Sequence, residues 1–492
     1  MKSTPLVPLL FLLFGFTATV LAQDGMPLFT EDFPPSEFAD RRGKVFDAIG
    51  TESIVVLQGE PTQRGYTRFR QSNEFYYLTG IEIPHAYLLM NGSTRQSTIF
   101  LPHRNERRER SEGKLLSAED TDLVIELSGL DAVGAIEELA AALSQYGRQG
   151  RKTTLYTLFA PAEGSSESRD LGMRRLADAA SDPWDGSPSR EARFVKRLND
   201  RFPSFEVESL NPILDELRLI KSSREIAILR QAARLSGLGL MEAMRSVEPG
   251  QKEMELDAVA KYIYWRNGAQ GDAYYSLIAS SSNAYRPHYN AGTRTMQDGD
   301  FLLMDYAPDY KYYMSDVTRM MPVNGRFSPG QRELYGVYKQ FYRAILDRIR
   351  PGVTAQQIKR EAVVEMDQIL LGWTFSKAIY QAAAENFVAS YARSAENPNT
   401  RMGHGVGMAT HDVGTFSGPL REGMVFTIEP ALRVPEERIY IRLEDLIIIH
   451  ADHAEIASDF VPMEIDDIEM LMMEEGILQK YPKDEHPPAG TN

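Results

Sequence analysis

Residues 301–320 read FLLMDYAPDYKYYMSDVTRM. Two apolar, β-rich runs each carry an aspartate, Asp305 and Asp316, with a tyrosine-rich turn segment between them. A buried, unpaired charge is costly, so a carboxylate in such a run calls for a partner. The pattern recurs downstream, where Glu429 follows VFTI and Glu444 follows YIRL. Each pair fits two neighbouring strands joined by a turn. Any one of these carboxylates alone reads as a turn residue or a salt-bridge partner. Four together repel one another, and protons or cations must neutralise them.

Residues 400–414, TRMGHGVGMATHDVG, add His404 and His411, two of the eight histidines in the chain, among four glycines. Glycines beside His404 allow close approach of backbone and ion. There is no cysteine, which excludes cysteine nucleophiles and zinc–thiolate sites. Oxygen-rich ligation with one imidazole suits manganese, cobalt or zinc better than copper.

The chain has 492 residues, which predicts two domains. Hydrophobic residues make up 43% and charged residues 25%, normal for a globular protein. A net charge of −15 argues against nucleic acid as a partner, since phosphate binding needs a cationic face. At the N-terminus, Lys2 precedes an apolar run from Leu6 to Phe16, and Val20 and Ala22 put small residues at −3 and −1 of a cleavage site before Gln23. This is the pattern of a cleaved signal peptide over residues 1–22, and it predicts an exported protein, periplasmic or secreted, with no membrane attachment after cleavage. The alternative is an uncleaved anchor helix, for which the apolar run is short.

Residues 23–209 read as an α/β domain with a connecting region. EFADRRGKVFDAIG has helical spacing, SIVVLQG, AYLLMNG and STIFLP are β-rich runs, and AVGAIEELAAALSQYG reads as an amphipathic helix ending at Gly147. Residues 162–200 are rich in Ser, Asp, Arg and Gly and read as helical pieces on a loose surface. Ser222 and Glu225 fit a capping box that starts the first helix of a second domain, 210–480. There, strand runs mixed with long helices such as QRELYGVYKQFYRAILDRI predict an α+β domain. Residues 481–492 read as a polar tail.

VFTIEP, IRLED, MDYA…MSDVTR and GHGVG…HDVG together resemble the pita-bread metallopeptidases, a family that includes aminopeptidase P, prolidase and methionine aminopeptidase. YTRFRQSNEFYYLTGIEIPHAYLLM resembles the N-terminal domain of aminopeptidase P and prolidase, which methionine aminopeptidases lack. The resemblance implies an α/β N-terminal domain followed by a pita-bread catalytic domain. It implies two divalent metal ions, manganese first and cobalt or zinc next, held by Asp305, Asp316, His404, Glu429 and Glu444, with Asp316 and Glu444 bridging. It implies Glu429 as base and proton shuttle, and His288 and His411 as substrate-side hydrogen-bonding groups. Arg442, two residues before Glu444 and on the same face of a strand, reads as a cation that orients the carboxylates. Thr318 and Thr427 are candidate hydroxyl partners of the ligands. The implied partners are peptide substrates, and a homodimer is a common state among relatives.

The expected activity is that of an Xaa-Pro aminopeptidase. A prolidase restricted to dipeptides is the near alternative, and a peptide-binding protein that has lost catalysis is the alternative from another class. The family pattern departs at three places. Thr400 stands where proline-specific members carry histidine, EPGLY becomes EPALR through Ala431 and Arg433, and Tyr306 follows the first aspartate. All three are expected to reshape the substrate pocket.

Overall fold

The computed structural model describes residues 29–147, 153–416 and 418–483. The expected signal peptide, 1–22, and all but the first three residues of the expected tail lie outside them.

In the first body, β1 (Ser53–Gln58), β2 (Tyr87–Asn91), β3 (Gln96–Leu101), β4 (Ala132–Ala135), β5 (Thr153–Thr157) and β6 (Phe205–Ser209) form one sheet, ordered β4-β3-β2-β1-β5-β6. The central strands β1, β2 and β3 pair antiparallel, and β4, β5 and β6 add in parallel. Strand alternation sends Ile54 and Val56 to one face and Val55 and Leu57 to the other, and both faces are buried. One face packs with Leu143 and Leu198 of the helices Leu139–Gly147 and Arg190–Arg201, the other with Phe38 and Val45 of the helix Pro35–Ile49. This is the α/β layering the alternating runs predict.

The helix expected over AVGAIEELAAALSQYG begins later than its propensity suggests. Ala132–Ala135 is the edge strand β4, Ile136–Glu138 is a 3₁₀ turn, and the α-helix starts at Leu139. Non-local pairing of β4 with β3 overrides the local helical preference.

Ser222 and Glu225 form the expected capping box, with Ser222 N donating to Glu225 Oε2 at 2.8 Å and Glu225 N to Ser222 Oγ at 3.3 Å. They open the helix Ser223–Ser246. The second body then contains β7 (Gly271–Asp272), β8 (Leu277–Ser280), β9 (Phe301–Asp305), β10 (Pro308–Asp309), β11 (Thr318–Pro322), β12 (Val425–Ile428), β13 (Ala431–Val434), β14 (Ile439–Arg442), β15 (Asp445–Ile449) and β16 (Ala454–Ile456). They assemble as β11-β9-β8, β12-β15-β16, β13-β14 and β10-β7. Five long helices, among them Pro329–Leu346 and Ala378–Glu396, pack their apolar faces on these sheets in one continuous core. The two bodies share a second core in which Phe38 and Tyr76 meet Tyr312, Tyr313 and Val406. The Tyr76 and Tyr312 rings stack at 3.6 Å between centroids, and Arg70 pairs with Asp309 at 2.7 Å.

Candidate metal centre

The four carboxylates sit at strand ends rather than inside strands. Asp305 is the last residue of β9 and lies opposite Thr318, the first residue of β11. Asp316 precedes β11, Glu429 follows β12, and Glu444 lies between β14 and β15. Asp316 and Glu429 lie just outside the paired residues, so their side chains can turn into a cavity without breaking a pairing. Register brings the ends together: Ile428 opposes Asp445 across β12 and β15, and Thr318 and Glu444 form a bridge between the start of β11 and the residue before β15.

His404 enters from a loop held against β12. Gly405 bridges to Phe426, and Thr427 N donates to the His404 carbonyl at 3.0 Å. The neighbouring glycines serve this close packing. A Cβ at Gly403 would lie 2.1 Å from the Thr427 carbonyl oxygen, and one at Gly407 would lie 2.0 Å from Asp412 Oδ2.

Asp305, Asp316, His404, Glu429 and Glu444 all line one cavity, together with His288, His411 and Arg442. Asp316, His404 and Glu444 each offer a ligand atom within 4.8 Å of the others. His404 Nε2 is 3.5 Å from Asp316 Oδ2 and 3.4 Å from Glu429 Oε1. Arg442 donates to Asp305, to Glu429 Oε2 at 3.2 Å and to Thr318 Oγ1 at 3.1 Å. Thr318 Oγ1 in turn donates to Glu444 Oε2 at 2.7 Å. Thr427 Oγ1 accepts from the His404 backbone N–H at 3.5 Å.

Electrostatics favours a cation among these groups. Burial pushes the Asp316 carboxyl well above its usual range, and Asp305 and Glu429 reinforce the shift. Glu444 is raised by burial and by Asp316 and Glu429. Glu429 is raised by burial and Asp305, against the pull of Arg442. Burial, with the charge of His411, drives the His404 imidazole down to about 3, which leaves it neutral and able to coordinate. Glu444 Oε1 is buried with no hydrogen-bond partner among the described residues. The Tyr274 hydroxyl lies 2.5 Å from Asp305 Oδ1 and 2.6 Å from Asp316 Oδ1, yet it carries a single proton and can donate to only one of them. One arginine does not balance three buried carboxylates and a partly buried fourth, and this oxygen-rich set with one neutral imidazole fits divalent cations.

Tyr274 and Asp170 are parts of the site that sequence reasoning misses. Asp170 Oδ2 lies 2.9 Å from His411 Nδ1, while the His411 ring sits 4.1 Å from the His404 ring. His411 is thus paired with Asp170. Its neighbour Asp412 is taken by Arg218 at 2.5 Å and Lys221 at 3.0 Å. His288 is exposed on the cavity wall.

The departures from the family pattern fall elsewhere than expected, for none of them lines this cavity. Thr400 is buried and bonds Lys359 Nζ at 2.8 Å. Arg433 stacks over Tyr440 and Tyr285, with its guanidinium carbon 4.4 and 5.6 Å from the ring centres. Ala431 pairs with Arg442 across β13 and β14, and the buried Tyr306 donates to Asp272 Oδ1 at 2.6 Å.

Residues 227–451 match metallopeptidase family M24, and residues 38–156 match the aminopeptidase P N-terminal domain. The chain is 29% identical over 462 residues to the Xaa-Pro aminopeptidase of Haemophilus influenzae, covering 89% of this chain and 97% of that protein. It is 30% identical over 414 residues to the Xaa-Pro dipeptidase of Homo sapiens, covering 78% and 76%. Its structure superposes on aminopeptidase P from E. coli with the inhibitor Pro-Leu at a TM-score of 0.71 and 28% identity, over 89% of this chain and 98% of that one. With its carboxylate-bearing strand ends, its two-body layout and these matches, the chain belongs to metallopeptidase family M24, in the aminopeptidase P branch.

Proposed function

We propose that this chain is an exported exopeptidase with two divalent ions that releases the N-terminal residue from peptides carrying proline in second position. The observation that carries the reading is the convergence of Asp305, Asp316, His404, Glu429 and Glu444 on one cavity. The names of relatives such as the Haemophilus influenzae Xaa-Pro aminopeptidase support the substrate class. Export rests on the pattern of residues 1–22, and no helix among the described residues is long and apolar enough to cross a membrane.

Those five side chains would hold the ions, manganese first, with cobalt or zinc as alternatives. Divalent ions here supply Lewis acidity towards a scissile carbonyl and lower the pKa of water towards ~7. Arg442 and Thr318 fix the directions of Asp305, Glu429 and Glu444 through the hydrogen bonds described above. Glu429 has one oxygen held by Arg442 and the other towards His404, an arrangement that suits a carboxylate that takes up a proton and passes it to the leaving amine. His288 and His411 line the wall where a peptide carbonyl can accept a hydrogen bond. The acidic cluster attracts a free N-terminal ammonium group, which favours an exopeptidase.

The human Xaa-Pro dipeptidase match favours a second reading, a prolidase. The test is incubation of manganese-loaded protein with Xaa-Pro dipeptides and longer Xaa-Pro-Xaa peptides, with the released residue identified. Cleavage of the longer peptides at the first bond is expected. Cleavage of dipeptides alone selects the prolidase, and no cleavage of either sinks the peptidase reading.

A further inference from the structure

Residues 157–226 lie between the two family matches and are covered by neither. Part of that stretch nevertheless walls the candidate active site. Ser168, Asp170, Leu171 and Arg174, at the start of the helix Arg169–Ser181, line the same cavity as the metal-ligand candidates. The helix is pinned from both bodies. Arg169 Nη1 donates to both Asp215 oxygens at 2.7 Å and Nη2 to Glu74 Oε1 at 3.3 Å, and Asp170 meets His411. Ser166, three residues before the helix, donates to the Asp272 carbonyl at 2.6 Å.

Two arginines line the cavity. Arg442 is held among the carboxylates. Arg174 is exposed and forms no ion pair or hydrogen bond among the described residues. The other charged groups on this wall are engaged, Asp170 by His411 and Glu167 by Arg175 at 3.1 Å. The cavity otherwise carries four carboxylates of the cluster, in a chain of net charge −15. A peptide whose ammonium end is drawn to that cluster brings a carboxylate at its other end, which the acidic surroundings repel. A free guanidinium on a pinned helix answers that charge with a forked pair of donors that matches a carboxylate.

We infer that Arg174 binds a carboxylate on the leaving-group side of the substrate, the α-carboxylate of a short peptide, and so selects short peptides with a free C-terminus. The inference rests on the peptidase reading for the meaning of that selectivity, but the binding it requires does not depend on turnover.

The test uses the manganese-loaded protein and calorimetric binding of prolyl-leucine and prolyl-leucinamide, which differ in the terminal charge. The wild-type protein is expected to prefer the acid by roughly tenfold, the worth of one charge-assisted pair. Arg174→Ala should abolish the preference, Arg174→Lys should restore part of it, and Arg174→Glu should reverse it. No preference in the wild type, or one that survives in Arg174→Ala, overturns the assignment. An amide bearing an aspartate side chain distinguishes the source of the carboxylate: binding as tight as the acid overturns the α-carboxylate in favour of an acidic side chain. Cleavage of Xaa-Pro-Xaa acids and amides is measured in parallel. Arg174-dependent binding without any cleavage sinks the peptidase reading and leaves the carboxylate site standing.

Discussion

Thr318 and Glu444 are joined three ways. Thr318 N donates to the Glu444 carbonyl at 3.3 Å, Glu444 N returns the bond at 3.1 Å, and Thr318 Oγ1 donates to Glu444 Oε2 at 2.7 Å. The pair stitches the sheets β11-β9-β8 and β12-β15-β16 together and aims a buried carboxylate whose other oxygen, Oε1, has no hydrogen-bond partner among the described residues. Thr318→Val keeps the β-branched shape and the backbone bridge but removes the hydroxyl. Metal affinity should fall by about 10- to 100-fold, the usual effect of losing a group that orients a ligand. Competition with a chelator measures it. Unchanged affinity would show that the hydroxyl does not orient Glu444.

Glu429→Gln removes a charge and keeps the shape. Turnover should fall by at least about 10³-fold, since the residue is assigned both a ligand and a proton-transfer role. The metal-free variant should unfold no earlier than wild type at pH 8, because burial and Asp305 already disfavour this charge. Steady-state kinetics and a thermal melt read the two effects. Near-normal turnover refutes the base assignment.

How legible each part was in sequence follows from its surroundings. A carboxylate is conspicuous in FLLMD or VFTI because every neighbour is apolar, and His404 is conspicuous because glycines flank it. Tyr274 is not, although it touches two of the carboxylates, because a tyrosine in a β-rich run is ordinary in a chain with 23 of them. Asp170 and Arg174 sit in a stretch whose Ser, Asp and Arg content reads as solvated surface, and only the docking of their helix gives them a site. The same limit applies to β4, whose partner β3 lies some thirty residues earlier, beyond the reach of local periodicity. It also applies to the loop residue Thr400, whose polar partner Lys359 arrives from the helix Ala355–Gly372.

Arg218 is buried between Glu163 Oε2 at 2.6 Å and Asp412 Oδ1 at 2.5 Å. It ties the connecting region, the helix Asn211–Leu219 and the His411 loop into one network. Arg218→Ala leaves two buried carboxylates with reduced compensation and should cost about 3–5 kcal/mol. Urea unfolding measures the loss. A change below about 1 kcal/mol would mean that Lys221 and Arg169 suffice to hold those charges.

Lys359 is buried yet has no carboxylate partner among the described residues. Its Nζ donates to Ser394 Oγ at 2.9 Å and Thr400 Oγ1 at 2.8 Å, and it sits 5.2 Å from the centre of the Tyr391 ring. Burial lowers its pKa to about 8, from the usual 10.5 of a lysine. Between those values the unfolded chain binds more protons than the folded one, so this residue makes stability rise with pH across that window. Below pH 8 its full cost is present. Lys359→Met removes the charge, and Ser394 and Thr400 keep each other as partners at 2.8 Å. The variant should therefore be more stable than wild type at pH 7, by about 1–2 kcal/mol once partial solvent access and the two lost hydrogen bonds are discounted. The advantage should shrink steadily towards pH 10, where wild-type Lys359 is largely neutral. Urea unfolding of both proteins at pH 7, 8.5 and 10 gives the difference directly. A difference of constant size across that range would show that Lys359 titrates alike in the folded and unfolded chains.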